Sequence, residues 1–207
     1  MTISQQPPMQ RRGFLRGGAL VAATAGGAIA SAASTVLPAQ AAADSAVLSF
    51  GFGPVRLLDT RTSEGRQVIV DTSTGAFDSK HRLKKYAWLD VAVYPTDDVP
   101  VLSAYVNLGS RASTAKGTLA VTAPYNDRPE AWTLHYAKGA EINNSAIAET
   151  VQDDADGVYV VRIYAGSVTH VILDLTGLSA LLPTGSDDLA RRQARAQRFV
   201  QNARSLR

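Results

Sequence analysis

The amino-acid sequence predicts an all-β fold: one β-sandwich or jelly-roll-like domain. Short runs rich in β-branched and aromatic residues alternate apolar with polar positions along its central part. Turn-forming clusters separate these runs, and no stretch between Ser49 and Ser179 carries a helical period. The clearest strands are residues 87–93 (AWLDVAV), 102–108 (LSAYVNL), 118–122 (TLAVT) and 132–136 (WTLHY). Residues 158–164 and 169–175 follow, and the four residues between them suggest a hairpin. Tyr125-Asn126-Asp127-Arg128-Pro129, Asp156-Gly157 and Ala165-Gly166-Ser167 supply the turns.

Ahead of this domain lies a segment of different character. Arg11 and Arg12 stand just before Phe14-Leu15, and a weakly apolar stretch runs from Gly17 to Leu37. Pro38-Ala39-Gln40-Ala41 then offers small residues at Ala39 and Ala41, the pattern of a cleavage site. The segment resembles a bacterial twin-arginine signal peptide, whose translocation machinery carries proteins already folded. A membrane anchor is the competing reading, because 21 residues are enough to cross a bilayer. Gly, Ala, Ser and Thr dominate the stretch, however, and gain little from entering hydrocarbon. The expectation is a signal over residues 1–41 and a secreted, extracytoplasmic domain.

Removing 41 of the 207 residues leaves 166, the size of a single domain. The signal holds three arginines and no acids, so the remainder carries 18 basic and 18 acidic residues. A basic whole-chain pI is therefore no nucleic-acid signature, and no nucleic-acid partner is expected. Without cysteine the exported domain has no disulfide, thiol nucleophile or Cys-ligated metal.

The domain is expected over residues 42–182 and a basic amphipathic helix over 183–207. Ser186 is a capping residue, followed by Asp187-Asp188 at the positive end of the helix dipole. Leu189, Ala196 and Ala203 form a narrow stripe at heptad spacing, with Phe199 and Leu206 beside it. From Thr184 onward six arginines oppose two aspartates, a net +4 against −4 for residues 42–183. The tail reads either as a solvated helix resting on the domain or as a contact with anionic polymer, membrane or partner.

Phe52-Gly53-Pro54-Val55-Arg56-Leu57-Leu58-Asp59-Thr60-Arg61 resembles the "P-x-R-L-L-D-T-R" opening of a β-rich domain family secreted by high-GC Gram-positive bacteria. Further segments agree in order: Ala104 to Leu108, Gly117 to Val121, Pro129 with Trp132 to Tyr136, Ile142-Asn143-Asn144, and Thr169 to Gly177. His135 and Leu178 depart from the family pattern, and the arginine-rich tail lies outside it. The resemblance implies a β-rich secreted domain and supplies no enzymatic activity. It marks Arg56, Asp59, Arg61, Asn107, Asn144, His170 and Asp174 as motif residues of unassigned role.

The residues suggest little catalytic chemistry. Asp59 and Arg61 share a face in an extended chain and can pair; His170 and Asp174 likewise share one. Two carboxylates brought together would suit acid–base hydrolysis, whereas separate carboxylates would be structural. No Gly-x-Ser-x-Gly elbow accompanies Ser103, Ser145, His135 and His170, and the histidines lack zinc spacing. Asp153-Asp154-Ala155-Asp156-Gly157 gathers hard oxygens suited to calcium but without a distal glutamate, so an acidic turn is the plainer reading. The basic run Lys80 to Tyr86 reads as a solvated loop.

No catalytic residue, metal or cofactor is therefore assigned. The expected function is a non-enzymatic module of the cell envelope, binding wall glycan or an envelope protein. Tyr105, Trp132 and Tyr136 could stack on sugars if exposed, with core packing as their default. The alternatives are a small envelope hydrolase using Asp59 or Asp174, and a structural subunit docked through its tail. Oligomeric state is left open. Replacing Arg11 and Arg12 together by lysine should leave precursor in the cytoplasm, and the wild-type exported chain should begin at Ala42. Normal secretion of the double variant, checked by fractionation and N-terminal sequencing, would remove the twin-arginine reading.

Overall fold

The computed structural model describes residues 45–96, 99–125 and 128–183, together with Arg198 and Gln201. The signal expected over residues 1–41 and nearly all of the tail expected over 183–207 lie outside the described residues. Ten strands form two antiparallel sheets: β1 (Ser45–Asp59), β2 (Ile69–Thr72), β3 (Trp88–Pro95), β4 (Val101–Arg111), β5 (Gly117–Thr122), β6 (Leu134–Tyr136), β7 (Ile142–Glu149), β8 (Val151–Asp153), β9 (Val158–Ala165) and β10 (His170–Pro183). The first sheet has the order β1-β10-β4-β7; the second runs β2-β3-β9-β5-β6, with β8 also paired to β9. One 3-10 turn, Glu64–Arg66, interrupts the β structure.

All-β character is thus shown, and each of the six expected runs overlaps a strand, although Trp132 and Thr133 precede β6. The hairpin between residues 158–164 and 169–175 is not formed. β9 and β10 follow one another in sequence but belong to different sheets. Both edges of each strand are already taken, β9 by β3, β5 and β8, and β10 by β1 and β4. Residues between them therefore carry the chain from one sheet to the other. The real hairpin joins β8 to β9 through Asp154–Gly157, where Gly157 has φ +64°.

Inner faces of both sheets contribute to one core. Leu57, Val106, Leu108, Leu173 and Leu175 come from the first sheet, and Leu89, Val91, Leu119, Val161 and Ile163 from the second. At roughly 25 cal/mol per Å² of apolar surface removed from water, such side chains outweigh any single polar contact here. Leu83, fully buried, pins the connection between β2 and β3 by bridging both Phe77 and Thr169. The basic run from Lys80 is consequently an ordered loop: Asp78 accepts from the Lys80 and Arg82 amides at 2.9 Å and pairs the Arg82 guanidinium.

β1 is bent by register shifts between Gly51 and Val55 and between Arg56 and Leu58. The second shift lets the adjacent Leu57 and Leu58 both be fully buried, which a regular strand forbids. Gly177 of β10 lies under the Tyr105 ring and beside the Phe50 carbonyl; an added Cβ would come within 2.7 Å of Tyr105 Cδ2 and closer still to Phe50 O. Backbone cannot retreat as a side chain can. Gly177→Ala should lower stability by about 1–3 kcal/mol, read as a fall in urea midpoint; an unchanged midpoint would mean β1 has room to shift.

Candidate functional site

Most of the motif residues marked in the sequence converge on the outer face of the first sheet. Arg56, Asp174, Asn107 and Ser145 lie opposite one another across β1, β10, β4 and β7, forming one transverse polar row. Arg56 Nε donates to Asp174 Oδ1, and its Nη2 reaches Asp174 Oδ2 at 3.4 Å. Arg56 Nη1 also lies 3.5 Å from Asp59 Oδ2, so one guanidinium spans both carboxylates. Arg61 grips Asp59 through Nε–Oδ1 at 2.9 Å and Nη2–Oδ2 at 2.7 Å, and its amide donates to Oδ1. Ser145 donates to Asn107 Oδ1 at 2.6 Å, which continues the row to the edge strand.

His170 belongs to the same face. The Thr60 hydroxyl accepts from the Val171 amide at 3.0 Å and shares a second hydrogen bond with His170 Nδ1, also at 3.0 Å. Burial lowers the imidazole pKa below the ordinary histidine value, and the charges of Arg82 and Arg61 push the same way. Asn144 stands apart. It pairs with Leu108 rather than with the polar row, and its amide donates at 2.7 Å to Thr133 O, beside the second sheet.

This network holds strands; it does not present reactive groups. Both oxygens of Asp59 are engaged by arginine, and the Arg61 bonds lower its pKa against the opposing effect of burial. A carboxylate kept ionised cannot supply the general-acid proton of a hydrolase. The adjoining hollow, lined by Arg56, Leu57, Asp59, Thr62, Glu64 and Gly65, encloses about 130 Å³. Asp153 caps its own turn, accepting from the Ala155 amide at 3.0 Å, and the described residues contain no cluster of three or more potential metal ligands.

The second candidate is an aromatic cleft on the other sheet, about 200 Å³ in volume and lined by Tyr86, Arg128, Pro129, Trp132 and Tyr164. Each ring is placed by the backbone beneath it. Tyr164 projects from β9 opposite Trp88 of β3. Trp132 precedes Thr133, whose amide donates to Leu119 O at 2.9 Å and whose hydroxyl accepts from Val121 at 3.1 Å. Tyr86 has φ +64°, a left-handed conformation rare for a bulky residue, and is anchored by its amide to Ala165 O at 2.7 Å. Trp132 and Tyr164 have ring centroids 5.9 Å apart at 49°.

Exposure separates these rings from the core aromatics. Tyr86 is 59% exposed and Trp132 37%, whereas Tyr164 forms a floor at 5%. The Tyr164 hydroxyl has no hydrogen bond among the described residues. Of the aromatics picked out in the sequence, Trp132 alone lines the cleft: Tyr136 is buried against Ser167, and Tyr105 is pinned by Ser49 and Ser179 at 2.7 and 2.6 Å. Sequence reasoning missed Tyr86, Tyr164 and Arg128. Tyr86 ends the basic run, and Tyr164 keeps period two with the outward Arg162; neither signal marks a cleft unaided. Arg162 instead stacks 3.7 Å over Trp88 and grips Asp90 at 2.8 and 2.9 Å, while burial holds the Asp90 carboxyl above its usual pKa despite that pair.

No family model and no curated protein matches the chain. The geometry itself yields a test of the polar row. Because Asp59 has a lowered folded-state pKa, its contribution is present above the unfolded carboxylate value of about 4 and is lost as pH falls through the folded value. Asp59→Asn should cost about 1–3 kcal/mol at neutral pH, an allowance that includes solvent screening of the half-exposed Arg61. It should also flatten the loss of stability below pH 4. Identical acid profiles for variant and wild type in urea titrations would show that Asp59 is not the linked group.

Proposed function

We propose that the protein is an exported, non-enzymatic module of the cell envelope that binds carbohydrate in the cleft of Tyr86, Trp132 and Tyr164. The observation that carries this reading is the pair of exposed rings over a buried tyrosine floor. Aromatic faces pack against the C–H face of a sugar ring, and nearby hydroxyls and amides fix its orientation. A volume of about 200 Å³ suits one ring of a longer chain better than an enclosed ligand. A Tyr86 backbone held at positive φ stores strain of about 1–3 kcal/mol, a cost found most often at ligand clamps and active sites.

The accompanying readings are proposals of the same standing. The common core of the two sheets supports a sandwich, of which the jelly roll is the finer variant. The "R-L-L-D-T-R" resemblance is supported by the shared face of Arg56, Asp59, Arg61, Asn107, His170 and Asp174, which gives that motif a structural task. Export by the twin-arginine machinery rests on Arg11, Arg12, Phe14 and Leu15. The hydrolase alternative is weaker, because Arg56 and Arg61 occupy the oxygens of both carboxylates.

Trp132→Ala should weaken sedimentation of the purified domain with isolated envelopes by about 10–30-fold, with little change in melting temperature. No soluble sugar should be released by the wild type. Undiminished binding by the variant removes the cleft as the site; release of wall fragments, abolished in a folded Asp59→Asn or Asp174→Asn protein, would restore the hydrolase.

A further inference from the structure

Resting on the carbohydrate reading of the cleft, we infer that its ligand is an anionic sugar, one carrying carboxylate or phosphate, and that Arg128 and Lys85 recognise the charge. The described arginines are otherwise committed. Arg56, Arg61, Arg82, Arg111 and Arg162 each pair with a carboxylate, and Arg66 donates to Thr60 O at 2.8 Å. Arg128 has neither ion pair nor hydrogen bond among the described residues, yet it lines the cleft beside Trp132 and Tyr164. Lys85 has no carboxylate partner among them either, and its ammonium sits 4.6 Å from the centre of the Tyr86 ring.

Two cations without a carboxylate partner among the described residues therefore stand at one aromatic cleft, Arg128 in its lining and Lys85 against its Tyr86 ring, on a body whose net charge is −4. A neutral sugar would leave both charges unused. A carboxylate or phosphate on the stacked ring offers the planar guanidinium a forked pair of acceptors, and the Lys85 ammonium a point contact. The Tyr164 hydroxyl, on a buried residue and without a hydrogen bond among the described residues, adds a donor on the cleft floor. Desolvation against the rings strengthens the attraction relative to open solvent.

The test compares native envelopes of the producing cell with two modified preparations: one with carboxylates amidated by carbodiimide and methylamine, one stripped of phosphodiester polymer by aqueous hydrofluoric acid. Wild-type protein should lose about tenfold or more in affinity for one preparation, which identifies the group as carboxylate or phosphate. Arg128→Gln should reproduce that loss on native envelopes and make no further difference on the sensitive preparation; Lys85→Gln should act alike but more weakly. Binding should also weaken with salt, since about 0.1 M screens exposed charges beyond roughly 10 Å.

Equal wild-type binding to all three preparations, or an Arg128→Gln protein indistinguishable from wild type, overturns the anionic assignment. In that case a continuing loss in Trp132→Ala would leave the carbohydrate reading standing. Absence of wild-type binding to native envelopes removes both readings together. Melting temperatures of the Gln variants should stay close to wild type, because neither side chain pairs with a carboxylate among the described residues and the Lys85–Tyr86 contact lies at an exposed ring.

Discussion

The first and last strands of the domain zip together, and the rest of the first sheet depends on that closure. Arg56 and Asp174 are 118 residues apart in sequence and meet across the β1–β10 pair. Such a pairing must overcome the entropy of closing a loop of more than a hundred residues, a cost that grows slowly with length. Apolar burial supplies the drive, with Leu57, Leu58, Leu173 and Leu175 all removed from solvent. The ion pairs above them do something different: they make one register much better than its neighbours. A slip of one residue would turn Asp174 inward and leave a buried carboxylate without its arginine. Specificity of alignment, more than net stability, is what this row contributes.

That division explains which parts of the fold were legible in the sequence. β4 alternates cleanly over residues 104–108 because one face meets the core and the other solvent or a polar partner, whereas β3 and β9 announce themselves by β-branched and aromatic residues buried along nearly their whole length. β7 gave no such signal. Its Ile-Asn-Asn-Ser-Ala-Ile-Ala-Glu run lies at the edge of the sheet, where its polar and small residues are largely exposed and Ile147 is 71% exposed. β1 was hidden for another reason: two register shifts break period two just where Leu57 and Leu58 enter the core. The mistaken hairpin had the correct strands on either side of a short link. Local spacing cannot report that β9 and β10 already have neighbours on both edges.

The candidate site divides in the same way. Residues of the "R-L-L-D-T-R" string could be read as charged pairs because Asp59 and Arg61 are two apart, a local relation. Their junction with Asp174 required the β1–β10 register, and the cleft required three separate segments to meet. Tyr86 comes from a loop pinned by Leu83, Trp132 from the approach to β6, and Tyr164 from the centre of the second sheet. No window of sequence contains more than one of these rings.

The two faces also spend their polar groups differently. On the first sheet the charges are satisfied internally, with guanidinium and carboxylate alternating from Asp174 through Arg56 and Asp59 to Arg61. An external anion there would have to displace a bidentate partner that already has matched geometry. On the second sheet Arg162 is equally committed, held between Trp88 and Asp90. Arg128 and Lys85 stand beside the same sheet with no carboxylate partner among the described residues, next to the exposed rings of Tyr86 and Trp132. A surface selected only for solubility would scatter these features, since an isolated exposed aromatic or cation is ordinary. Their concentration around one cleft, with a tyrosine held at positive φ at its rim, is the argument for proposing that cleft as the binding site.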